Sequence, residues 1–528
     1  MRTMAVIPTP RVHPASNKWV VAVSVTVGAL MGAVDASVVN VALPSIQATF
    51  GASITEVTWI ATAYLIAVVL LMPFTGWLTS ILGRKVIYQT SLLVFVGASV
   101  IAAMASSLPA LIVARTLQGL GASLLFPIGQ AILLDTFPQE ERGLATAIYG
   151  VVTILGPTIG PLIGGWITDN YTWPWIFLIN VPIGCIGFLM TTAFVPEAGD
   201  IKTARGGVDA IGIALLAVGL SSLLIVLEQG DTWDWFSSPL VWGFGIVALS
   251  CLMLFVLWEF FGTDAPVVDL TLYADRTFAA ASLCVLLLGT ILFGVFLLQS
   301  LFLQNLLGYT ATQTGVAFLP RGLVIMGTLM AAGMLFNVLG PRVMTGVGVG
   351  FLVLGQFLMA PWTLDAGFAQ IQIPLVIGGV GLAVQMVSLL NAGVAGIDRR
   401  RLASATGLLN LQVQLGGALG TAILATMIER GTTQYHAMLV GHVTATSTAT
   451  SQWTQLLTSL MVGRGGSDAV TAQHQAFAVI DELVTQQASV LSFEHVFEVV
   501  AFLGLLLFVC VPFFPKRGGA VSTHGGVI

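Results

Sequence analysis

The sequence predicts an all-α membrane protein: fourteen transmembrane helices, arranged as two six-helix bundles in parallel repeat with two further helices between them. Three observations lead there. The composition is too apolar for water, apolar runs of bilayer length recur along the chain, and a pair of loop motifs is echoed at one sequence offset.

Hydrophobic residues make up 56% of the 528 positions and charged residues only 8%, against about 25% charged in soluble domains. The mean hydropathy is +0.96. A chain of this length has too little polar surface to cover itself in water. The net charge of −5 is dispersed, and no basic patch of the kind that binds nucleic acid is present. Cys185, Cys251, Cys284 and Cys510 all fall in apolar runs and read as packing residues. The first apolar run leads into more apolar sequence rather than a small-residue cleavage site, so it reads as a first span, not a removable signal.

Spans are read near 19–43, 56–79, 86–107, 109–134, 142–165, 174–195, 208–228, 239–261, 277–305, 312–338, 343–363, 370–394, 402–428 and 494–514. Each reaches the length of about 20 residues that carries a helix across the hydrocarbon. Only helices and closed barrels satisfy their backbone in lipid. Of the 19 Lys and Arg, only Arg430 and Arg464 fall on one side of the membrane, and Arg115 and Arg321 lie within spans. The remainder share the other side, which the positive-inside rule makes the cytoplasm, with both termini there. The expected units are residues 1–197, 198–265 for the two inserted helices, and 266–528. The last carries a long polar segment, 429–493, on the outer face. Its stretch DAVTAQHQAFAVIDELVTQQAS is read as a surface helix on the outer mouth, or as a docking site for a partner.

The repeat is visible in two places. GWLTSILGRK, Gly76 to Lys85, is echoed by GMLFNVLGPR, Gly333 to Arg342; RGLATA from Arg142 is echoed by RRLASA from Arg400. A glycine pair follows each of the second motifs, at Gly156 and at Gly416. Parallel repeats with a site at their interface mark secondary transporters.

Several motifs, in order, resemble those of the major facilitator superfamily, and within it the fourteen-helix drug/proton antiporters of the EmrB/QacA type. They are VDASVVNVALPSI (Val34 to Ile46), GWLTSILGRK, ARTLQGLGAS (Ala114 to Ser123), GVVTILGPTIGPLIGG (Gly150 to Gly165), WPWIFLINVPIG (Trp173 to Gly184) and DTWDWFSS (Asp231 to Ser238). The resemblance covers nearly the whole chain. It implies proton-coupled export of hydrophobic or cationic drug-like molecules from a bacterial cell, across the inner membrane. It implies no cofactor, and it raises a periplasmic adaptor of the membrane-fusion type as a partner. Gly76, Gly83 and Arg84 occupy the loop motif. Where the superfamily usually has an aspartate, this chain has Ser80, and the second half has Asn337. The charge contact that latches the cytoplasmic side is therefore expected to be weakened or replaced, with the neutral residues capping a neighbouring helix end.

Asp35 is the one carboxylate read well inside a span, and an ionisable residue at that depth is a functional candidate by default. At the helical rise, Asp35 lies roughly 12 Å deep, Arg115 roughly 9 Å and Arg321 roughly 13 Å, all from the outer face. The family fold places the first and fourth helices side by side, so Asp35 is expected to pair with Arg115 and to exchange the coupling proton. The same carboxylate is expected to attract a cationic drug. Gly156, Gly160 and Gly164 recur every four residues and form a stripe that lets another helix approach closely. With Pro157 and Pro161 bending the helix, the stripe is read as the sliding contact between halves. Cavity candidates are Asp35, Arg321, Gln299, Gln304, Asn305, Gln385, Asn391, Asn410, Gln412 and Gln414, with Trp59, Tyr64 and Phe126 as aromatics.

Other classes fit less well. No histidine lies deep in a span, no HExxH or other metal constellation occurs, and no Walker loop is present, so neither an enzyme nor an ATP-driven pump is expected. A proton-coupled importer of a small organic solute on the same fold, and a non-transporting assembly subunit, stay open as alternatives.

Overall fold

The computed structural model describes residues 17–196, 209–263, 266–443, 448–465 and 468–515, exclusive of the side chains of residues 54, 157, 158, 311, 448, 449 and 463–465. In chain order its helices are α1 (Lys18–Phe50), α2 (Ile54–Leu71), α3 (Thr75–Leu82), α4 (Arg84–Ala103), α5 (Leu108–Thr136) and α6 (Arg142–Asn170). They continue as α7 (Trp175–Leu178), α8 (Asn180–Phe194), α9 (Ala210–Gln229), α10 (Pro239–Phe261) and α11 (Arg276–Leu301). The chain closes with α12 (Ala311–Met359), α13 (Phe368–Val394), α14 (Leu402–Val440), α15 (Thr448–Gly465) and α16 (Ala469–Cys510). No strand occurs among the described residues. Side-chain caps start many of the helices. Ser53 and Glu56 form a capping box at α2, Thr310 and Gln313 form one at α12, and Asp275 and Asp468 cap α11 and α16. Each cap satisfies backbone N–H groups that a helix leaves orphaned.

Among the described residues, thirteen helical segments are long and apolar enough to cross a membrane. One of them, α12, has 49 residues, about 74 Å at the helical rise, more than twice the hydrocarbon thickness of about 30 Å. It is two spans joined at Gly340, which adopts φ 74° and ψ 160°. The matching turn between α3 and α4 is made by Gly83 at φ 87° and ψ 151°. These two glycines hold the same positive-φ conformation, which a residue with a Cβ adopts only at a cost. The echo in sequence is thus an echo in backbone geometry, and among the described residues the spans number fourteen.

Within the first half α1 packs on α6 and α5 packs on α2 and α4; within the second α12 packs on α13 and α11 on α14. Contacts between halves run from α12 to α6 and from α14 to α2, α3 and α5. The inserted α9 lies against α2 and α14, with α10 outside it. Asp209 caps α9 through Gly212 N and accepts from Trp258 Nε1 of α10 at 2.9 Å. Trp242, Ile246, Leu249, Met253 and Phe261 of α10 are exposed, a surface that suits lipid and not water.

Three local expectations change. Helix α1 runs through Pro44 to Phe50, beyond the expected end at 43. The stretch from Asp468 is not a separate surface helix: it caps and begins the 42-residue α16, continuous with the last span, while α14 continues to Val440 and α15 lies between the two. Between Ala469 and Gly504 there is neither glycine nor proline to stop it. Ser492 Oγ bonds Ile428 O at 3.0 Å, and His436 Nε2 meets Asp481 Oδ1 at 2.9 Å, tying the two extensions together. The glycine stripe of α6 faces α1 rather than the second half. A Cβ at Gly156 meets Ala33, at Gly160 meets Ser37, and at Gly164 meets Val38. Periodicity names the face correctly but not its neighbour. Other small residues of α6, Gly143 and Gly150, approach Gly333 and Leu329 of α12. Pro157 belongs to α6, and its side chain lies outside the described residues.

Candidate functional site

Asp35 sits in the middle of α1 and is 1% exposed. Arg115, one of the early residues of α5, is equally buried and places Nη1 2.5 Å from Asp35 Oδ2. Gln118 Nε2 donates to Asp35 Oδ1 at 2.8 Å and Asn180 Nδ2 to the same oxygen at 2.7 Å. Ser99 of α4 accepts from Gln118 Nε2 at 2.8 Å. The guanidinium donates further to Gln118 Oε1 at 2.7 Å and lies 4.0 Å from the centre of the Tyr64 ring, a cation–π distance. Helices α1, α4, α5 and α8 thus converge on one buried carboxylate. A buried ion pair survives desolvation only when the remaining lone pairs and protons are satisfied, and Gln118 and Asn180 satisfy them. Neither stands out in the sequence, although both fall in the quoted motifs; Gln118 is one helical turn from Arg115 and so shares its face.

A cavity of about 380 Å³ lies between the halves, lined from both, within the range of about 300–1,000 Å³ usual for small-molecule sites. Tyr64, Arg115, Arg321, Asn410 and Gln414 line it, as does Phe126. Asp35 does not: Arg115 and Tyr64 stand in the lining beside it. Gln299 and Gln385 are also behind the wall. Gln299 accepts from Arg321 and donates to Met359 Sδ at 3.2 Å, and Gln385 donates to Thr345 O at 2.8 Å. Glu228, at the end of α9, does line the cavity, a position that its place near a helix end does not announce.

The face carrying Gly83 and Gly340 is closed. Gly76 fits against Ser404, and Gly407 against Met72 and Thr75. Thr146 Oγ1 donates to Asn391 Oδ1 at 2.9 Å, Thr406 Oγ1 to Pro127 O at 3.1 Å, and Asn410 Nδ2 to Gln130 Oε1 at 2.8 Å. The latch expected to be weakened or replaced is rebuilt around Asp135, at the end of α5. Arg84 reaches it at 3.3 Å and Arg399, from the second half, at 2.6 Å. Arg84 Nη2 also donates to Arg399 O at 2.6 Å. Asn337 donates across the halves to Glu140 O, while Ser80 bonds Trp77 O of its own helix, at 2.7 Å.

Asp135→Asn should therefore loosen this seal. The ion pairs are partly exposed, so the network contributes about 1 kcal/mol, a several-fold change in the open fraction. With Ser404→Cys as reporter, maleimide labelling should rise several-fold in the Asp135→Asn background. Equal labelling would mean that the apolar and glycine contacts alone hold this face shut.

Two bundles around a central cavity, sealed on one face, with an ion pair buried beside it, define a membrane transporter of the alternating-access class. Residues 25–421 match the family described as Major Facilitator Superfamily. The chain is 32% identical over 507 residues to the Multidrug export protein EmrB of Escherichia coli K12, covering 95% of this chain and 97% of that one. It is 30% identical to the Fatty acid resistance protein FarB of Neisseria gonorrhoeae, covering 97% and 99%. Among solved structures, the proton:xylose symporter XylE aligns with a TM-score of 0.59 at 12% identity, over 96% of this chain and 98% of that one. The human organic anion transporter MFSD10 aligns with 0.58 at 16%, over 92% and 99%. These two show the fold alone. The chain belongs to the major facilitator superfamily, in its EmrB-type branch, and so to the multi-pass proteins of the bacterial inner membrane.

Proposed function

We propose that this protein is a multidrug exporter that moves hydrophobic or cationic compounds out of the cell in exchange for protons. The observation that carries the reading is the cavity between halves, sealed on the basic-loop face, with the Asp35–Arg115 pair buried against its wall. The EmrB relatives, named multidrug export proteins, support export of varied drugs. The sealed face is the cytoplasmic one, with both termini on it, so the cavity here faces outward. Residues 1–197 and 266–528 form the rocking units and 198–265 the inserted pair. Asp35 and Arg115 carry the coupling proton; Gly76, Gly83 and Arg84 act at the cytoplasmic closure, and Gly156, Gly160 and Gly164 fix α6 to α1. The helical extension beyond residue 429 is the surface a periplasmic adaptor would use.

Everted membrane vesicles test this. With their interior made acid, they should accumulate cationic and uncharged aromatic compounds and discharge the gradient as they do so. Vesicles that accumulate nothing from a diverse panel, from cells that gain no resistance, would remove the exporter reading. Uptake in the opposite sense would replace it with import.

A further inference from the structure

The inserted helices have so far served only as a spacer between halves. Yet α9 brings a carboxylate to the cavity. Gln229, 1% exposed, donates through Nε2 to Thr62 Oγ1 of α2 at 3.3 Å. Two residues on, Asp231 Oδ1 accepts from Thr426 Oγ1 of α14 at 3.3 Å. The end of α9 is thereby fixed to one helix of each half, and Glu228 enters the cavity lining between them.

Among the described residues, the charged members of the lining are Glu228, Arg115 and Arg321. Arg115 is neutralised by Asp35, and Arg321 leans on the neutral Gln299. Glu228 has no hydrogen-bond or ion-pair partner among the described residues. A carboxylate facing a largely apolar cavity without a partner costs free energy, so its retention there calls for a ligand that repays it. The same cavity is lined by Phe293, Phe296 and Phe318 from the second half and by Tyr64 and Phe126 from the first, aromatic rings of the kind that also attract cations.

We infer that Glu228 is the cation-recognising residue of the cavity: it receives the positive centre of a lipophilic aromatic cation, while the aromatic walls take its apolar groups. Asp35, shielded in its own network, is left to the proton. The charge of Arg321 keeps the positive centre of the ligand at the α9 end. This rests on the exporter reading and adds to it the group that selects the substrate.

The test uses the full chain in lipid nanodiscs and two probes of similar shape, tetraphenylphosphonium and uncharged triphenylphosphine oxide. In Glu228→Gln, which keeps shape and removes charge, tetraphenylphosphonium should bind about tenfold more weakly, the scale of one charge-assisted contact. Triphenylphosphine oxide should bind as before, and Glu228→Asp should restore most of the difference. The inference is overturned if the cation binds Glu228→Gln as it binds the unaltered protein. It is overturned equally if both probes weaken together, or if the unaltered protein ignores the cation. Failure of the exporter reading looks different: no compound is moved by the unaltered protein in vesicles, whatever the nanodiscs bind.

Discussion

Asp35→Asn abolishes proton-driven export while the protein still reaches the membrane: that is the largest effect expected on activity. The exchange needs a group that holds a proton in one state of the cycle and releases it in the other, and an amide does neither. The substitution is close to isosteric. The introduced amide can still accept from Gln118 or Asn180 through its one carbonyl oxygen, but its NH₂ then faces Arg115 Nη1, donor against donor. Arg115 keeps other partners, the Gln118 oxygen at 2.7 Å and the Tyr64 ring, and it also lines the cavity. Insertion and folding are therefore retained. The measurement is gradient-driven uptake into everted vesicles, beside binding of the same compound without a gradient. Uptake should fall to the level of vesicles lacking the protein, and binding should persist. Full uptake by Asp35→Asn would take the proton away from this residue.

The ion pair is legible in the sequence because charge is scarce in this chain and depth can be counted in residues. Asp35 and Arg115 stand out against apolar neighbours, and the count of levels puts them together even though α1 runs past its expected end to Phe50. The repeat is legible because glycine at positive φ is hard to replace, so Gly83 and Gly340 keep their places while their surroundings differ. What sequence leaves hidden is partnership. The four-residue spacing of Gly156, Gly160 and Gly164 defines a smooth face but carries no record of Ala33 and Ser37 opposite. Residues Arg84, Asp135 and Arg399 meet only after folding, and no local spacing joins them. Gln385 and Gln299 read as cavity residues because a polar side chain in a span has few reasons to be there; in the fold each satisfies a neighbour inside one half. The polar stretch from Asp468 reads as separate because polarity ends a span without ending a helix.

The second large effect is on stability, and it is asymmetric. Removing one member of a buried pair costs about 3–5 kcal/mol because the other is left charged and uncompensated. The two members differ in how they can respond. A lone carboxylate can take up a proton and become a neutral acid, whereas a guanidinium stays charged. Arg115→Met leaves Asp35 with Gln118 and Asn180, both donors to its Oδ1, and a neutral acid there can point its own proton toward the Gln118 oxygen freed by the arginine. Asp35→Asn leaves the guanidinium with the Ile60 carbonyl at 3.4 Å, Gln118 and a ring. Asp35→Asn should therefore melt lower than Arg115→Met in detergent. The double variant, with no charge left in the network, should melt higher than Asp35→Asn alone, recovering more than half of the loss, since replacing a whole buried pair by neutral groups is often close to neutral. All three should be dead for proton-driven export, so stability and transport separate. Additive losses in the double variant would show that Asp35 and Arg115 do not act on each other in the folded protein, and the buried pair would then count for packing only.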